Sequence, residues 1–205
     1  MAKKTGSRKV SDVDTEITNE IATFLATPPL DCGPLYNERS LQLELGVFLR
    51  SRGFGVEFER PFRVEFQTGS TRKPKRDLDI IAVKEGATTA IELKVPLSGR
   101  VPETMYDFCT DVAFVESIVR MGAADKGICL LVTNERQFWY GVNEVGIYSY
   151  FRGPDVTLGG MIQKPTGGRD TTVSLLGQYQ LAPAWRNADE RLMQGARYLM
   201  VEVTA

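Results

Sequence analysis

The sequence predicts an α/β fold in which helices pack around a mixed β-sheet. Three patterns indicate it. Two helical apolar patterns lie before residue 53, a two-residue apolar period occupies 56–95, and a long helical pattern and an apolar strand follow. From the second helix onward the order is α-β-β-β-α-β with additions. The 205 residues, 42% hydrophobic and 25% charged, suffice for one domain with a sizeable core.

Apolar residues at helical spacing predict helices over about 12–26, 37–52 and 103–121. Pro28 and Pro29 end the first helix, because proline cannot continue one. Asn37 is a good N-cap for the second helix, and Gly53 is a good stop after it. Glu38 is then in the first turn of the second helix.

The segments between these helices alternate apolar and polar residues, as half-buried strands do. Strands are predicted over 56–66 (in two runs), 77–83 and 89–95, and a buried strand over 127–133. Beyond it we expect strand-rich sequence at 138–151, a loop at 153–170, a strand at 172–181, a short helix at 188–194 and a strand at 197–203. We expect a disordered basic tail at 1–10 and a single domain at 11–205, with its core at about 37–133 and a strand-rich C-terminal extension at 134–205.

The composition excludes several kinds of catalytic site. The chain has no histidine, which excludes Ser-His-Asp and Cys-His nucleophiles and histidine-ligated zinc. Cys32, Cys109 and Cys129 form no CxxC pair and suit a reducing cytoplasm as buried thiols. The net charge is −1, so nucleic acid would have to be bound by local basic patches. No apolar run is long enough to span a membrane, and we expect a cytoplasmic protein with no membrane partner.

Asp79, Glu92 and Lys94 are candidate catalytic residues, because they interrupt two apolar strands. Glu92 and Lys94 are two residues apart on one strand, so their side chains share a face, about 6 to 7 Å apart. A tight turn centred between Glu85 and Gly86 sets Asp79 opposite Glu92, with Cβ atoms roughly 4.5 to 5.5 Å apart. Like charges at that distance repel, and a shared cation is the simplest compensation. The alternative is a plain salt bridge of Lys94 with either carboxylate on a solvated face.

Glu38 is a fourth candidate, because it falls within the apolar stripe of the second helix. That stripe consists of Leu41, Leu45, Phe48 and Leu49. A carboxylate on a buried face needs a partner. The alternative is that Glu38 only interacts favourably with the helix dipole, which stabilises acidic residues in the first turn. Glu44, at the edge of the stripe, is the substitute for Glu38.

These residues resemble the motif of the PD-(D/E)XK, or restriction-endonuclease-like, nuclease superfamily. The matching parts are a helix bearing Glu38, a strand ending in Asp79, a strand with Glu92-Leu93-Lys94, and then a helix and a strand. They cover roughly 37–133, about half of the chain. The proline expected before the aspartate is replaced by Leu78, and Asp77 competes with Asp79 for the role of that aspartate.

The resemblance implies a nuclease-like domain with a restriction-endonuclease-like α/β sandwich and a metal-dependent phosphodiesterase activity. Asp79, Glu92 and the backbone carbonyl of Leu93 would bind Mg²⁺ (or Mn²⁺), which activates a water molecule and neutralises phosphate charge. Lys94 would orient that water or stabilise the pentacovalent intermediate. Glu38 would bind the metal through water or support a second ion. The implied function is a DNA endonuclease in defence, repair or mobile-element processing.

The nucleic-acid partner, DNA under this interpretation, would be bound by basic side chains near the site. The candidates are Arg39, Arg72, Lys73, Lys75, Arg76 and Arg100. Arg72, Lys73, Lys75 and Arg76 lie just before Asp79. The alternative, equally well supported, is that this segment is only a solvated basic loop. The aromatic run 138–140 is able to stack on bases, but packing in a core or strand is the more frequent role of such residues.

Two other functions stay open. The first is a subunit or scaffold that has the nuclease fold and binds a partner without catalysis. The presence of all four candidate site residues argues against this loss of activity. An unrelated α/β domain would carry the same residues as a salt bridge. Metal titration separates the nuclease from both. A homodimer is compatible with all three.

Overall fold

The computed structural model describes residues 10–64, 75–97, 99–153, 156–167, 171–181 and 185–204. The helices are α1 (Val10–Ala26), α2 (Glu38–Ser51) and α3 (Val101–Arg120). The strands are β1 (Gly55–Arg63), β2 (Lys75–Lys84), β3 (Ala87–Lys94), β4 (Lys126–Thr133), β5 (Thr157–Gln163), β6 (Thr172–Gln180), β7 (Arg186–Asn187) and β8 (Arg197–Thr204). Residues 1–9 of the predicted tail lie outside the described residues, and Val10 already belongs to α1.

The fold is α/β with a mixed central sheet, as predicted. Within the described residues this sheet has six strands in the order β1-β2-β3-β4-β8-β7. β3 and β4 run parallel, and the other neighbouring pairs are antiparallel. From α2 to β4 the order along the chain is α-β-β-β-α-β, which confirms the predicted order. β5 and β6 form a separate antiparallel hairpin.

Two hydrophobic cores lie on opposite faces of the central sheet. α1 and α2 pack on one face, where Ile17 and Ile91 are fully buried. α3 and the β5–β6 hairpin cover the other face. Every residue of β4 is buried because both of its faces are covered. Cys109 and Cys129 are buried free thiols, as expected, whereas the free thiol Cys32 is half-buried.

The start of α2 is determined by its cap, which places Glu38 at the first helical position. The side chain of Asn37 accepts a hydrogen bond from the backbone N–H of Ser40, and the Ser40 hydroxyl accepts one from the N–H of Asn37. This reciprocal pair satisfies two N–H groups that the helix itself leaves unpaired. The predicted N-cap is therefore confirmed, and so is the burial of the apolar stripe: Leu41, Leu45, Phe48 and Leu49.

The β2–β3 hairpin has the predicted register. Glu85 and Gly86 form a two-residue turn with φ of 51° and 87°, the left-handed pair that a tight hairpin requires. Ile80 pairs with Ile91, as a turn centred between Glu85 and Gly86 demands. The regular pairing ends there, one pair short of Asp79.

The region 138–151 is not strand-rich, contrary to the prediction. It contains the end of one short 3₁₀ helix, Arg136–Phe138, and the whole of another, Gly146–Tyr150. The buried side chain of Arg152 donates to the carbonyl of Gln137 (Nε, 3.0 Å) and to that of Asn143 (Nη1, 2.6 Å). A guanidinium therefore binds carbonyls that a strand would present to its neighbour.

Two further predictions beyond β4 are wrong. β5 lies inside the predicted loop at 153–170. This segment pairs with β6, and its side chains Leu158 and Ile162 are buried. The predicted helix at 188–194 is instead part of the loop that joins β7 to β8. The N–H of Ala188 closes this loop by donating to the carbonyl of Ala196 at 3.0 Å. The strands predicted at 172–181 and 197–203 are confirmed as β6 and β8.

Among the described residues, no helix combines the length and the apolar character that crossing a membrane would need.

Candidate functional site

The central sheet opens at Asp79, where β2 separates from β3. Asp79 is not part of the ladder between these strands; its Oδ2 instead accepts a hydrogen bond from the backbone N–H of Leu93 at 2.7 Å. Gln42 of α2 donates through Nε2 to the carbonyl of Asp79 at 2.7 Å. On its other side, Asp79 also lacks a regular strand partner. The pairing of β1 with β2 is interrupted at Glu59, whose φ of 54° lies in the left-handed region. The predicted register thus brings Asp79 to β3, through the backbone of Leu93 rather than as a regular pair with Glu92.

Lys94 joins three elements of the fold. Its Nζ lies 3.1 Å from Oδ2 of Asp111 on α3 and 3.7 Å from Oε1 of Glu38 on α2. Burial lowers the pKa of Lys94, but Asp111 and Glu38 outweigh it and raise the pKa above its ordinary value. Lys94 is therefore a permanent cation between the two helices at the end of β3.

Arg76 lies inside the cluster, not on a loop open to phosphates. It belongs to β2, and its Nη2 is 2.6 Å from Oε1 of Glu92 and also contacts Oδ1 of Asp111. Its guanidinium stacks over the ring of Phe114, 4.6 Å from the ring centre. Its charge is already paired with two carboxylates in this structure, and contact of Arg76 with nucleic acid stays a prediction.

Asp111 is the site residue that the sequence analysis missed. Its side chain is only 4% exposed, and it contacts both Lys94 and Arg76. The available signal was its position on the third helix, between the apolar residues Val115 and Ile118 on a helical wheel. A carboxylate at such a position needs a partner. Thr104 and Asp107 lie on the same side of the helical wheel, so the sequence also allows Asp111 to belong to a polar face.

The cluster carries more negative than positive charge. Within the described residues it comprises four carboxylates and two cations: Glu38, Asp79, Glu92, Asp111, Arg76 and Lys94. We call it the carboxylate cluster. Two negative charges are unbalanced if every group is ionised. Protons or a divalent cation would supply the balance.

Burial, aided by the neighbouring carboxylates, raises the pKa of three acids of the carboxylate cluster, Asp79, Glu38 and Glu92, and so favours their neutral forms. Burial raises the pKa of Asp79 from 3.8 to about 6, against the hydrogen bond from Leu93. Burial raises the pKa of Glu38 as well, although Lys94 opposes the shift. The pKa of Glu92 is raised well above 4.5 by burial and then by Asp111. These groups compete for protons in the absence of another cation.

The metal predicted from the resemblance fits the oxygen donors of Asp79 and Glu92. Oε2 of Glu92 is buried and has no hydrogen-bond partner among the described residues. Mg²⁺ binds oxygen donors and uses only one or two carboxylates, completing its shell with water and substrate. The part of the chain that is described contains no group of three or more His, Cys, Asp or Glu side chains able to hold a metal ion. A site of two carboxylates and the Leu93 carbonyl requires no such group.

The other predicted residues lie around the cluster or away from it. Asp77 is exposed and forms an ion pair with Lys75 at 3.3 Å, so Asp79 is the aspartate that reaches β3. Glu44, the alternative to Glu38, accepts a hydrogen bond from the N–H of Gly33 at 3.3 Å, whereas Glu38 is the one that lies against Lys94.

The remaining basic candidates are accessible at the surface where they are described. Arg39 is exposed beside Glu38 on α2, and Arg100 is exposed immediately before α3. Lys75 is exposed at the start of β2. Arg72 and Lys73 lie outside the described residues.

The raised pKa of Asp79 predicts how stability depends on pH. Between pH 3.8 and about 6 the folded state holds a proton that the unfolded state releases, so stability falls as the pH rises through this range. The effect is at most about 3 kcal/mol. In chelator, Asp79→Asn should melt several degrees above wild type at pH 7.5, and the two proteins should converge toward pH 4. Thermal unfolding followed by circular dichroism measures this, and a variant that melts lower at pH 7.5 would contradict it.

The comparisons with known proteins do not identify the chain. No protein-family model matches it, and no curated protein matches it. The crystal structure of SSO0001 is similar at 18% sequence identity, with a TM-score of 0.31, over 65% of this chain. The chain covers 65% of the length of that protein. Similarity at this level supports no conclusion about fold or function, so the site is interpreted from its own geometry.

Proposed function

We propose that the chain is a metal-dependent nuclease of the PD-(D/E)XK, restriction-endonuclease-like kind, hydrolysing phosphodiester bonds in DNA. The observation that carries the proposal is the carboxylate cluster. At the point where β2 leaves β3, Asp79, Glu92 and Lys94 come together with Glu38, and the cluster has two unbalanced negative charges when every group is ionised. A divalent cation is the ligand that such a surplus of buried carboxylate charge favours. The α-β-β-β-α-β order from α2 to β4 supports the same superfamily.

The proposal assigns roles to the residues of the carboxylate cluster. Asp79 and Glu92, with the carbonyl of Leu93, hold Mg²⁺ or Mn²⁺. The bound ion lowers the pKa of a water molecule and neutralises charge on the phosphate. Lys94 presents a positive charge to the scissile phosphate or to the attacking water. Glu38 orients Lys94 from α2.

Arg76 and Asp111 support those roles. Asp111 holds Lys94 from α3, opposite Glu38. Arg76 is the counter-ion of Glu92 in the metal-free protein. If Glu92 held a metal ion, Arg76 would keep Asp111 as its counter-ion and would present its remaining N–H groups to a substrate phosphate. Arg39, Lys75 and Arg100, together with Arg72 and Lys73, bind the DNA backbone, which fits a nuclease of defence, repair or mobile-element processing.

A second candidate function is a nuclease-fold subunit that binds a partner without catalysis. The pairing of Arg76 with both Glu92 and Asp111 favours it, because this pairing already neutralises part of the cluster. In such a protein the ion pairs of Arg76 with Glu92 and Asp111 are permanent and structural. Metal addition would then change neither stability nor activity.

Metal titration tests the proposal without knowledge of the DNA sequence. Mn²⁺ at ten times its dissociation constant stabilises the folded state by about 1.4 kcal/mol. The melting temperature of wild type should rise by roughly 3 to 6 °C, at 2 to 4 °C per kcal/mol for a domain of this size. Asp79→Asn should lose most of this response, whereas Asp77→Asn, the matched control on the same strand, should keep it.

The same titration distinguishes the two candidate functions. Equal responses of wild type and Asp79→Asn would place the ion elsewhere and remove the nuclease proposal. No response in wild type would favour the binding subunit. Cleavage of plasmid and of linear duplex DNA by the same samples, with and without Mn²⁺, completes the test.

A further inference from the structure

Two arginines and three aromatic residues form a stacked surface at one end of the central sheet. The guanidinium of Arg136 lies 4.0 Å from the ring centre of Tyr140, and that of Arg197 lies 5.1 Å from Trp139. Trp139 in turn packs on Trp185, with ring centres 5.4 Å apart. We call these five residues the Arg–aromatic patch. Phe138, in the same run of sequence, is fully buried and belongs to the core.

The Arg–aromatic patch lies at the same end of the sheet as Lys94. β3 and β4 are parallel, so their carboxyl ends share one edge. The hydroxyl of Thr133, at the end of β4, donates to the carbonyl of Pro96, just after β3, at 2.9 Å. Arg197 begins β8 directly opposite Thr133. β8 is two strands from β3, or roughly 10 Å at the usual strand spacing.

The patch is open to a ligand. Tyr140 is 61% exposed, and Arg136 is exposed as well. In the described part of the chain, neither Arg136 nor Arg197 forms an ion pair with a carboxylate. An open cleft of about 900 Å³ lies against Arg136, Trp139 and Arg197.

Two acidic residues also line this cleft, and one of them is already paired with an arginine outside the patch. They are Asp189 and Glu190. Asp189 is held by Arg191, with Nε 3.0 Å from Oδ1, which neutralises its charge locally. The cleft therefore offers two guanidinium groups and the ring of Trp139, and Tyr140 is exposed beside Arg136. These groups suit a ligand that carries both negative charge and flat apolar faces.

We propose that the Arg–aromatic patch binds unpaired bases of a nucleic-acid strand beside the carboxylate cluster. The proposal rests on the nuclease function proposed above and narrows its substrate to DNA with a single-stranded or opened segment. Aromatic rings and guanidinium planes stack on any base, whereas a duplex keeps the faces of its bases covered. The guanidinium groups pair with the phosphates of the same strand. Duplex DNA without an opened segment is a poor ligand for this surface.

The two tryptophans of the chain make the test direct. Trp139 and Trp185 are its entire tryptophan content, and both lie in the patch. Intrinsic fluorescence of the full chain, in chelator so that no cleavage occurs, therefore reports on the patch. Titration with an oligothymidylate of about 15 nucleotides, near the upper range of single-strand site sizes, should quench it. A blunt duplex of equal length and thymidine monophosphate should quench it only at concentrations at least about tenfold higher.

Matched variants identify the surface responsible. Tyr140→Ala and Arg136→Ala should each weaken binding of the oligothymidylate by about tenfold, the loss expected for one stacked base. Arg120→Ala removes an exposed arginine at the C-terminal end of α3, away from the patch, and should leave binding unchanged. Melting temperatures confirm that Tyr140→Ala is folded, which its exposure predicts.

The outcomes separate this inference from the nuclease proposal. Metal-dependent cleavage without fluorescence quenching by any nucleic acid would overturn base binding by the patch but leave the nuclease proposal standing. Quenching by the oligothymidylate without cleavage would support the patch and overturn the nuclease. Equal quenching by the duplex, or binding that Tyr140→Ala and Arg136→Ala do not weaken, would overturn the patch.

Discussion

A Lys94→Met variant is expected to lose metal-dependent DNA cleavage by about 10² to 10³-fold, the cost of removing one charged group that stabilises a transition state. Lys94 is 18% exposed and held between Asp111 and Glu38, which keep it protonated. Its charge is therefore already in position when phosphate charge develops. Because that interaction strengthens only in the transition state, kcat should fall while KM changes little.

The control for Lys94→Met is Lys75→Met. Lys75 is exposed, pairs only with the exposed Asp77 in the structure as described, and is one of several proposed phosphate contacts, so its loss should raise KM by a few-fold and leave kcat unchanged. Lys94→Met should keep the Mn²⁺-dependent rise in melting temperature, since it removes no metal ligand. Single-turnover cleavage of a labelled DNA measures the rates. A Lys94→Met variant that cleaves at the wild-type rate would remove Lys94 from the catalytic assignment.

An Arg76→Met variant is expected to be the most destabilised of the variants considered, by about 3 to 5 kcal/mol at pH 8 without metal. Glu92 and Asp111 have side chains only 6% and 4% exposed, and both contact the guanidinium. Removing it leaves carboxylate charge in the interior without its partner. At 2 to 4 °C per kcal/mol, the melting temperature should fall by roughly 6 to 20 °C.

The pH and the metal ion should each reduce this loss. The pKa of Glu92 is raised in the folded state by burial and by Asp111, and losing Arg76 raises it further. The folded variant then keeps a proton that the unfolded chain releases above its ordinary pKa of 4.5, so its stability falls as the pH rises from there. The deficit should therefore be smaller at pH 5.5 than at pH 8. Mn²⁺ should also restore part of it, because the ion replaces the missing positive charge.

Thermal unfolding of wild type and Arg76→Met at the two pH values, with and without Mn²⁺, measures both effects. Lys75→Met, its neighbour on β2, should change stability by less than about 1 kcal/mol, as exposed ion pairs do. An Arg76→Met variant as stable as wild type at pH 8 would show that the guanidinium is not the counter-ion of the buried carboxylates.

Local chemistry was enough to predict the elements that carry Asp79, Glu92 and Lys94. Alternation along β2 and β3 and the turn at Glu85-Gly86 depend on neighbouring residues, so the hairpin register was readable in advance. The cap formed by Asn37 likewise depends on the next three residues. The sequence by itself therefore determined the register that brings Asp79 to the strand of Glu92 and Lys94, and that Glu38 begins a helix.

Only the tertiary structure decided how the carboxylate cluster is completed and balanced. Arg76 and Asp111 are 35 residues apart and meet because α3 packs across β3 and β4. α3 is buried on most of its sides, and the buried residues include polar ones such as Asp111 and Glu116, so its own pattern does not reveal which side faces the sheet. The separation of β2 from β3 at Asp79 depends on contacts with α2 and β1. The raised pKa values arise from burial, which is set by the packing of distant segments rather than by any local run of residues.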